Sequence, residues 1–307
     1  PVVELQDAAG NTVSQAGTTI TATIASGGGS LGGTVAQVSD TNGQATYTDL
    51  VLTGVAGPRT LDFSATGLSK VTSASVTLAA GAATTLAKQA GDNQSGTAGS
   101  PLPIDPQVKV TDASGNPVSG VSVTFTVTVV GGSAAAVAVT DAAGLASVTW
   151  ALGTTAGTNT LDATAVLAGG PATVTFTATG QAGSAGRLAI ATQPSTTAAS
   201  GTVFAQQPAI QLQDSLGNPV NTTGTQITVT SSGTLGGNTT ASTVSGIATF
   251  TNLSLSGLVG NYSLTFTGTN LTGVTSNSIA LTPGSAAALV VVTQPGATEQ
   301  SGVVFTT

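Results

Sequence analysis

Apolar and polar residues alternate along this chain in short runs that stop at an Asp, pass through a Gly-Asn turn and restart. The pattern is clearest in PAIQLQDSLGNPV at 208–220, and it occurs twice more, as PVVELQDAAGNTV at 1–13 and PQVKVTDASGNPV at 106–118. A period of two followed by such a turn predicts strand, tight turn, strand. The aspartates at 7, 112 and 214 space the copies by 105 and then 102 residues. A period of that size predicts a tandem array of whole domains, not a solenoid of small repeats.

The runs between these landmarks are also strand-like. In VSVTFTVTV at 121–129, Val121, Val123, Phe125, Val127 and Val129 share one face. A second turn, DTNG at 40–43, matches DAAG at 141–144; in the third copy Thr243 aligns with Asp141, so that turn has lost its Asp. No stretch has sustained helical periodicity. About seven short strands per hundred residues predict an all-β fold, tandem immunoglobulin-like antiparallel β-sandwiches forming an extended rod. The expected domains are repeat 1 at 1–81, lacking its own first strand, repeat 2 at 82–183, repeat 3 at 184–284, and a lead-in strand for a next unit at 285–307. The joins at 80–83, 183–186 and 284–287 are a few residues each, which restricts swing between domains.

Composition narrows the function. The 307 residues include no Cys, no Met, no His and one Trp. Disulfides and thiolate metal sites are therefore excluded, and the usual general base is missing, so an enzyme is not expected. Lys and Arg number five against twelve acids, for a net charge of −7, which cannot build a basic footprint for nucleic acid. Charged residues make up only 6% of the chain, so Thr, Ser, Asn, Gln and Gly must carry the surface, as in exported walls and adhesins. No apolar run reaches the ~18 residues of a membrane span. The chain opens on Pro1 with neither a starting Met nor a leader, as expected of a piece processed or excised from something longer.

Several motifs together resemble the bacterial immunoglobulin-like repeats of the invasin and intimin kind and the long repeat adhesins related to them. They are D-x-x-G-N-P-V at 112–118 and 214–220, D-x-x-G-x-A at 141–146, and T-Q-P at 192–194 and 293–295. The first copy departs with Thr12 in place of Pro. The resemblance covers the whole chain and implies an exported, extracellular, cell-surface stalk or fibre.

The phase of the repeats is informative. Repeat 3 opens with the lead-in LAIATQP at 188–194, running on to Val203 and Phe204, and a diverged version near Leu86 opens repeat 2. Repeat 1 has none, since Pro1 aligns with Pro208. The chain instead carries LVVVTQP at 289–295, with Val303 and Phe305 beyond it, as a lead-in with no domain after it. The expectation is a head-to-tail homopolymer in which Leu289, Val291, Val303 and Phe305 of one copy pack against Pro1, Val3 and Leu5 of the next. Burying about five such side chains gives roughly 7–15 kcal/mol gross, against an association cost of roughly 4–15 kcal/mol. The alternative is a spacer stalk or carbohydrate-binding adhesin region excised from one much longer surface protein, with surface glycans as partners.

Candidate chemistry is sparse, and no cofactor is expected. Asp7, Asp112 and Asp214 are calcium candidates, but each turn holds one carboxylate where calcium takes 6–8 oxygens, so turn capping is the simpler role. Ser and Thr abound without a His, so no triad forms. Lys109 is the candidate for an isopeptide crosslink, although Glu4 and Gln211 at its position point to a solvent-facing site. Trp150, aligned with Asp49 and Asn252, could stack on a sugar, join domains or pack in the core. Glycosylation sequons occur at Asn93, Asn221, Asn238, Asn252, Asn261 and Asn270.

Overall fold

The computed structural model describes residues 1–128, 131–294, 301, 302 and 304. Among them the secondary structure is all strand, without a helix. The chain divides into two compact units, 1–181 and 182–307. The first holds two hydrophobic cores, one around Leu5, Ile20, Tyr47, Leu61 and Phe63 and one around Val108, Phe125, Trp150, Leu161 and Phe176. The second unit holds a third core, around Ile210, Leu212, Phe250, Leu253 and Phe266.

Repeat 2 shows how a complete module is built. One sheet runs Thr85–Ala90, Gln107–Thr111, Leu145–Ser147; the other runs Gln94–Thr97, Gly170–Gln181, Gly157–Leu167, Ser122–Val127, Val137–Val139. This is an antiparallel sandwich of immunoglobulin-like type. Alternation does the sorting: Val123 and Phe125 are buried while Ser122, Thr124 and Thr126 are exposed. Val129, placed on the same face by the pattern, lies outside the described residues.

The lead-in segment belongs to both sheets. Thr85–Ala90 runs antiparallel to Gln107–Thr111, and Gln94–Thr97 then runs parallel to Gly170–Gln181. Repeat 3 repeats the arrangement, with Arg187–Thr192 on Ala209–Gln213 and Thr197–Ala199 parallel to Ile279–Thr282. Each lead-in thus covers two sheet edges and closes the sandwich between them.

Among the described residues, repeat 1 has neither pairing. Val2–Glu4 pairs with Gln44–Thr46 alone, and Val76–Leu78 pairs with the strand Gly57–Ser64 alone. Burial follows. Val76 is 48% exposed where its counterpart Ile279 is fully buried, and Val3 is half-buried where Val108 and Ile210 are fully buried.

Two alignments made from sequence are corrected by one residue each. Thr243 does not take the place of Asp141. Its hydroxyl donates to Thr222 O and accepts from Thr225 N–H, the bonds that Thr140 makes with Val118 and Val121. The turn after it is one residue shorter, with Ser245 and Gly246 at positive φ between bridged Val244 and Ile247. Likewise Trp150 O accepts from Leu102 N–H as Leu253 O accepts from Phe204 N–H. Trp150 therefore fills the slot of Leu253, one place on from Asn252, and is fully buried. The slip arises because repeat 2 has one residue fewer between Val148 and this slot than repeat 3 has after Phe250.

Candidate functional site: the turn that joins repeats

The D-x-x-G-N turns are the most constructed polar features of the chain. In each, one carboxylate oxygen of the Asp accepts two backbone N–H groups: from Ala9 and Asn11 at Asp7, Ser114 and Asn116 at Asp112, Leu216 and Asn218 at Asp214, all at 2.8–2.9 Å. The other oxygen accepts the side-chain N–H of the Asn, at 3.0, 2.8 and 2.9 Å in turn. Gly10, Gly115 and Gly217 sit between the two at φ of +85°, +81° and +97°, a region that L side chains disfavour. Asp, Gly and Asn are thus required together by one local geometry.

In repeats 2 and 3 the second carboxylate oxygen takes one further donor, from the join that precedes the module. Gly81 N–H donates to Asp112 Oδ2 at 2.8 Å, and Gly183 N–H donates to Asp214 Oδ2 at 2.9 Å. The Asn116 and Gly81 bonds, with the backbone donors of the turn, hold the Asp112 carboxyl down at about 2. For Asp214, burial alone pushes upward, but the donors from Asn218 and Gly183 outweigh it and the value is again about 2. Asp7 is also lowered, chiefly by Asn11.

Asn116 extends the turn into a joint between repeats 1 and 2. Its Oδ1 accepts Ala56 N–H at 2.6 Å, and its Nδ2 donates to Gly54 O at 3.0 Å as well as to Asp112. The Asp fixes the orientation of the amide, and the amide reads one donor and one acceptor of the neighbouring loop. That loop has its own prop. Arg59 is buried, and its guanidinium donates to Pro58 O and Val55 O. Neither the reach of Asn116 nor the role of Arg59 was visible in the strand pattern. The signal for Asn116 was its recurrence with the Asp at a fixed spacing of four.

The other candidates fall as follows. The oxygens of Asp7, Asp112 and Asp214 face N–H donors, and among the described residues no three acidic side chains gather into a cation site. Lys109 lies half-buried mid-strand in Gln107–Thr111. Trp150 is core, with its indole N–H buried and without a partner among the described residues, so it offers no sugar-stacking surface. Asn93, Asn221, Asn238, Asn252, Asn261 and Asn270 are all exposed, and Asn93, Asn252 and Asn270 adopt positive φ at turns. Of the assembly residues, Leu5 is buried, Val3 half-buried and Pro1 exposed, its carbonyl accepting Tyr47 N–H. Leu289 and Val291 are exposed at 102% and 61% and lie outside any strand. Val303 and Phe305 lie outside the described residues. No helix of the described residues is long and apolar enough to cross a membrane.

No family model and no curated protein sequence matches the chain. Among solved structures the chain is similar to bacterial surface proteins. The Escherichia coli adhesin FdeC is 17% identical over 92% of this chain and 91% of that chain, with a TM-score of 0.44. InvD of Yersinia pseudotuberculosis is 20% identical over 93% and 92%, with a TM-score of 0.42. Invasin, described as a bacterial integrin-binding protein, is 18% identical over 92% of this chain and 56% of that one, with a TM-score of 0.38.

Proposed function

We propose that the chain is a non-catalytic structural segment of an extracellular, cell-surface fibre, in which segment 289–293 of one copy completes repeat 1 of the next. The observation that carries this reading is the pair of open edges in repeat 1, along Val2–Glu4 and Val76–Leu78, where repeats 2 and 3 each hold a lead-in strand. The segment LVVVT at 289–293 matches LAIAT at 188–192, which fills that role in repeat 3. An open edge and an unpaired apolar segment both gain by β-augmentation. The sparse charge and the exposed sequons suit an exported surface.

Electron microscopy of the purified chain tests the reading. Unbranched fibres that grow with concentration are expected, and a Leu289→Lys, Val291→Lys double variant should leave single particles. Wild-type chain that stays as single particles throughout overturns assembly by strand completion.

A further inference from the structure

The lead-in strands do more than cover edges. In repeat 2, Gln94–Thr97 runs parallel to the end of the last strand, with Gln94 opposite Ala178 and Thr97 opposite Gln181. Repeat 3 has the same pairing, between Thr197–Ala199 and 280–282. We propose that this parallel pair is a shear clamp by which repeats 2 and 3 hold their fold under tension along the chain, and that Lys88 and Asp92 lock the clamp of repeat 2. This role deepens the fibre reading above, yet it uses only pairings inside each module and does not depend on association between copies.

Direction decides what tension does here. The chain enters repeat 2 through the join at 80–83, ahead of the lead-in, and leaves it through the join at 183–186, after the last strand. Tension therefore draws the lead-in toward its N-terminal end and the last strand toward its C-terminal end. Two parallel strands drawn in this way slide along each other, and the bonds between them must break together. Strands pulled apart from a shared end would open one bond at a time. In repeat 2 the ladder is bounded by Asn93 N–H on Thr177 O and Ala98 N–H on Gln181 O, both at 2.9 Å. In repeat 3 the bounding bonds are Ala280 N–H on Thr196 O and Ser200 N–H on Thr282 O, again at 2.9 Å.

Side chains extend the clamp of repeat 2 past its backbone. Asp92 stands where the lead-in crosses from one sheet to the other. Its Oδ1 accepts Thr177 N–H at 2.9 Å, and its Oδ2 pairs with Lys88. Lys88 also donates to Thr175 O at 3.0 Å, and its Nζ lies 5.9 Å from the centre of the Phe176 ring. Asn93 Oδ1 accepts the Thr177 hydroxyl at 2.6 Å. Both halves of the lead-in are thus tied to the strand through which tension leaves the module. A partly exposed ion pair adds little to equilibrium stability, but bonds that span the sliding surface act on the unfolding rate, which governs forced unfolding. In repeat 3, Ile190 stands at the place of Lys88, and the crossover makes a single side-chain bond to the last strand, from Asn277 N–H to Gln193 Oε1 at 3.1 Å. Repeat 2 therefore has the stronger clamp.

The test is single-molecule force spectroscopy of the full chain, stretched between cysteines added at its two ends; the sequence has no other Cys to compete for attachment. Repeats 2 and 3 should give the two most resistant unfolding events. Lys88→Ala, Asp92→Ala should raise the unfolding rate of the more resistant one about tenfold to a hundredfold at a given load and leave the other in place. Lys88→Ala alone, at a partly exposed residue, should act in the same direction if the double variant does not fold. Val123→Ala is the control, since Val123 is fully buried in repeat 2 but lies on neither clamp strand. It should lower the melting temperature while changing the loaded rate less than the clamp variants do. A clamp variant that leaves the loaded rate at the wild-type value, or that changes it no more than Val123→Ala does, overturns the clamp. Force on one molecule reports nothing of association, so that failure would leave strand completion standing.

Discussion

Asn116 takes the backbone N–H of Ala56 at 2.6 Å, so a side chain of repeat 2 closes a loop of repeat 1. The amide is held for this task by Asp112, and both residues are buried by the contact. One turn therefore serves twice, ending a strand within its own module and fixing the neighbour.

Removing that amide should loosen the joint more than the module. Asn116→Ala leaves Gly54 O and Ala56 N–H without their partner, a cost of about 1–3 kcal/mol when the groups stay shielded from water. Hydrogen exchange should accelerate at Ala56 and Gly81, with little change in the strands Ser122–Val127 and Gly157–Leu167.

The joins also predict an acid limb. Asp112 and Asp214 lie at about 2 in the folded chain against an ordinary 3.8. Between these values the unfolded chain binds more protons than the folded one, so stability falls as pH falls. The stabilisation is complete above about pH 5 and is lost as pH drops through about 4 toward 2. Thermal melts across pH 2–6 should show this decline, and Asp112→Asn with Asp214→Asn should flatten it.

Backbone geometry makes a sharper contrast. Gly246 has φ +81°, and a Cβ there would stand 2.0 Å from Val220 O, whereas a Cβ at Gly169 would meet nothing within 4 Å. Gly246→Ala should cost about 1–3 kcal/mol or more. Gly169→Ala should fall within about 0.5 kcal/mol of wild type by chemical denaturation.

Trp150 is the only Trp and reports repeat 2 alone. Repeat 1 has the smallest core and two open edges, so it should unfold first in the unassembled chain. Circular dichroism should detect an early loss of strand to which Trp fluorescence is silent; coincident transitions would contradict this order.

Much of the module was legible in the strand pattern, because burial on one face imposes a period of two and the turns demand Asp, Gly and Asn at fixed places. VSVTFTV at 121–127 and the turn at 112–116 are cases in point. One-residue slips at Thr243 and Trp150 were not legible, since the alternation continues on either side of a deletion and only the hydrogen bonds fix the register. The joint escaped for another reason. The partners of Asn116 are backbone atoms of Gly54 and Ala56, and backbone atoms leave no trace in side-chain pattern.

Hydrogen exchange, followed residue by residue in dilute and concentrated solution, tests strand completion most directly. The amides that face the open edges, at Val2, Glu4, Gln6 and Thr77, should exchange freely when dilute and become protected on assembly, together with 289–293 and at the same concentration. Fibres in which those amides remain unprotected would contradict the account.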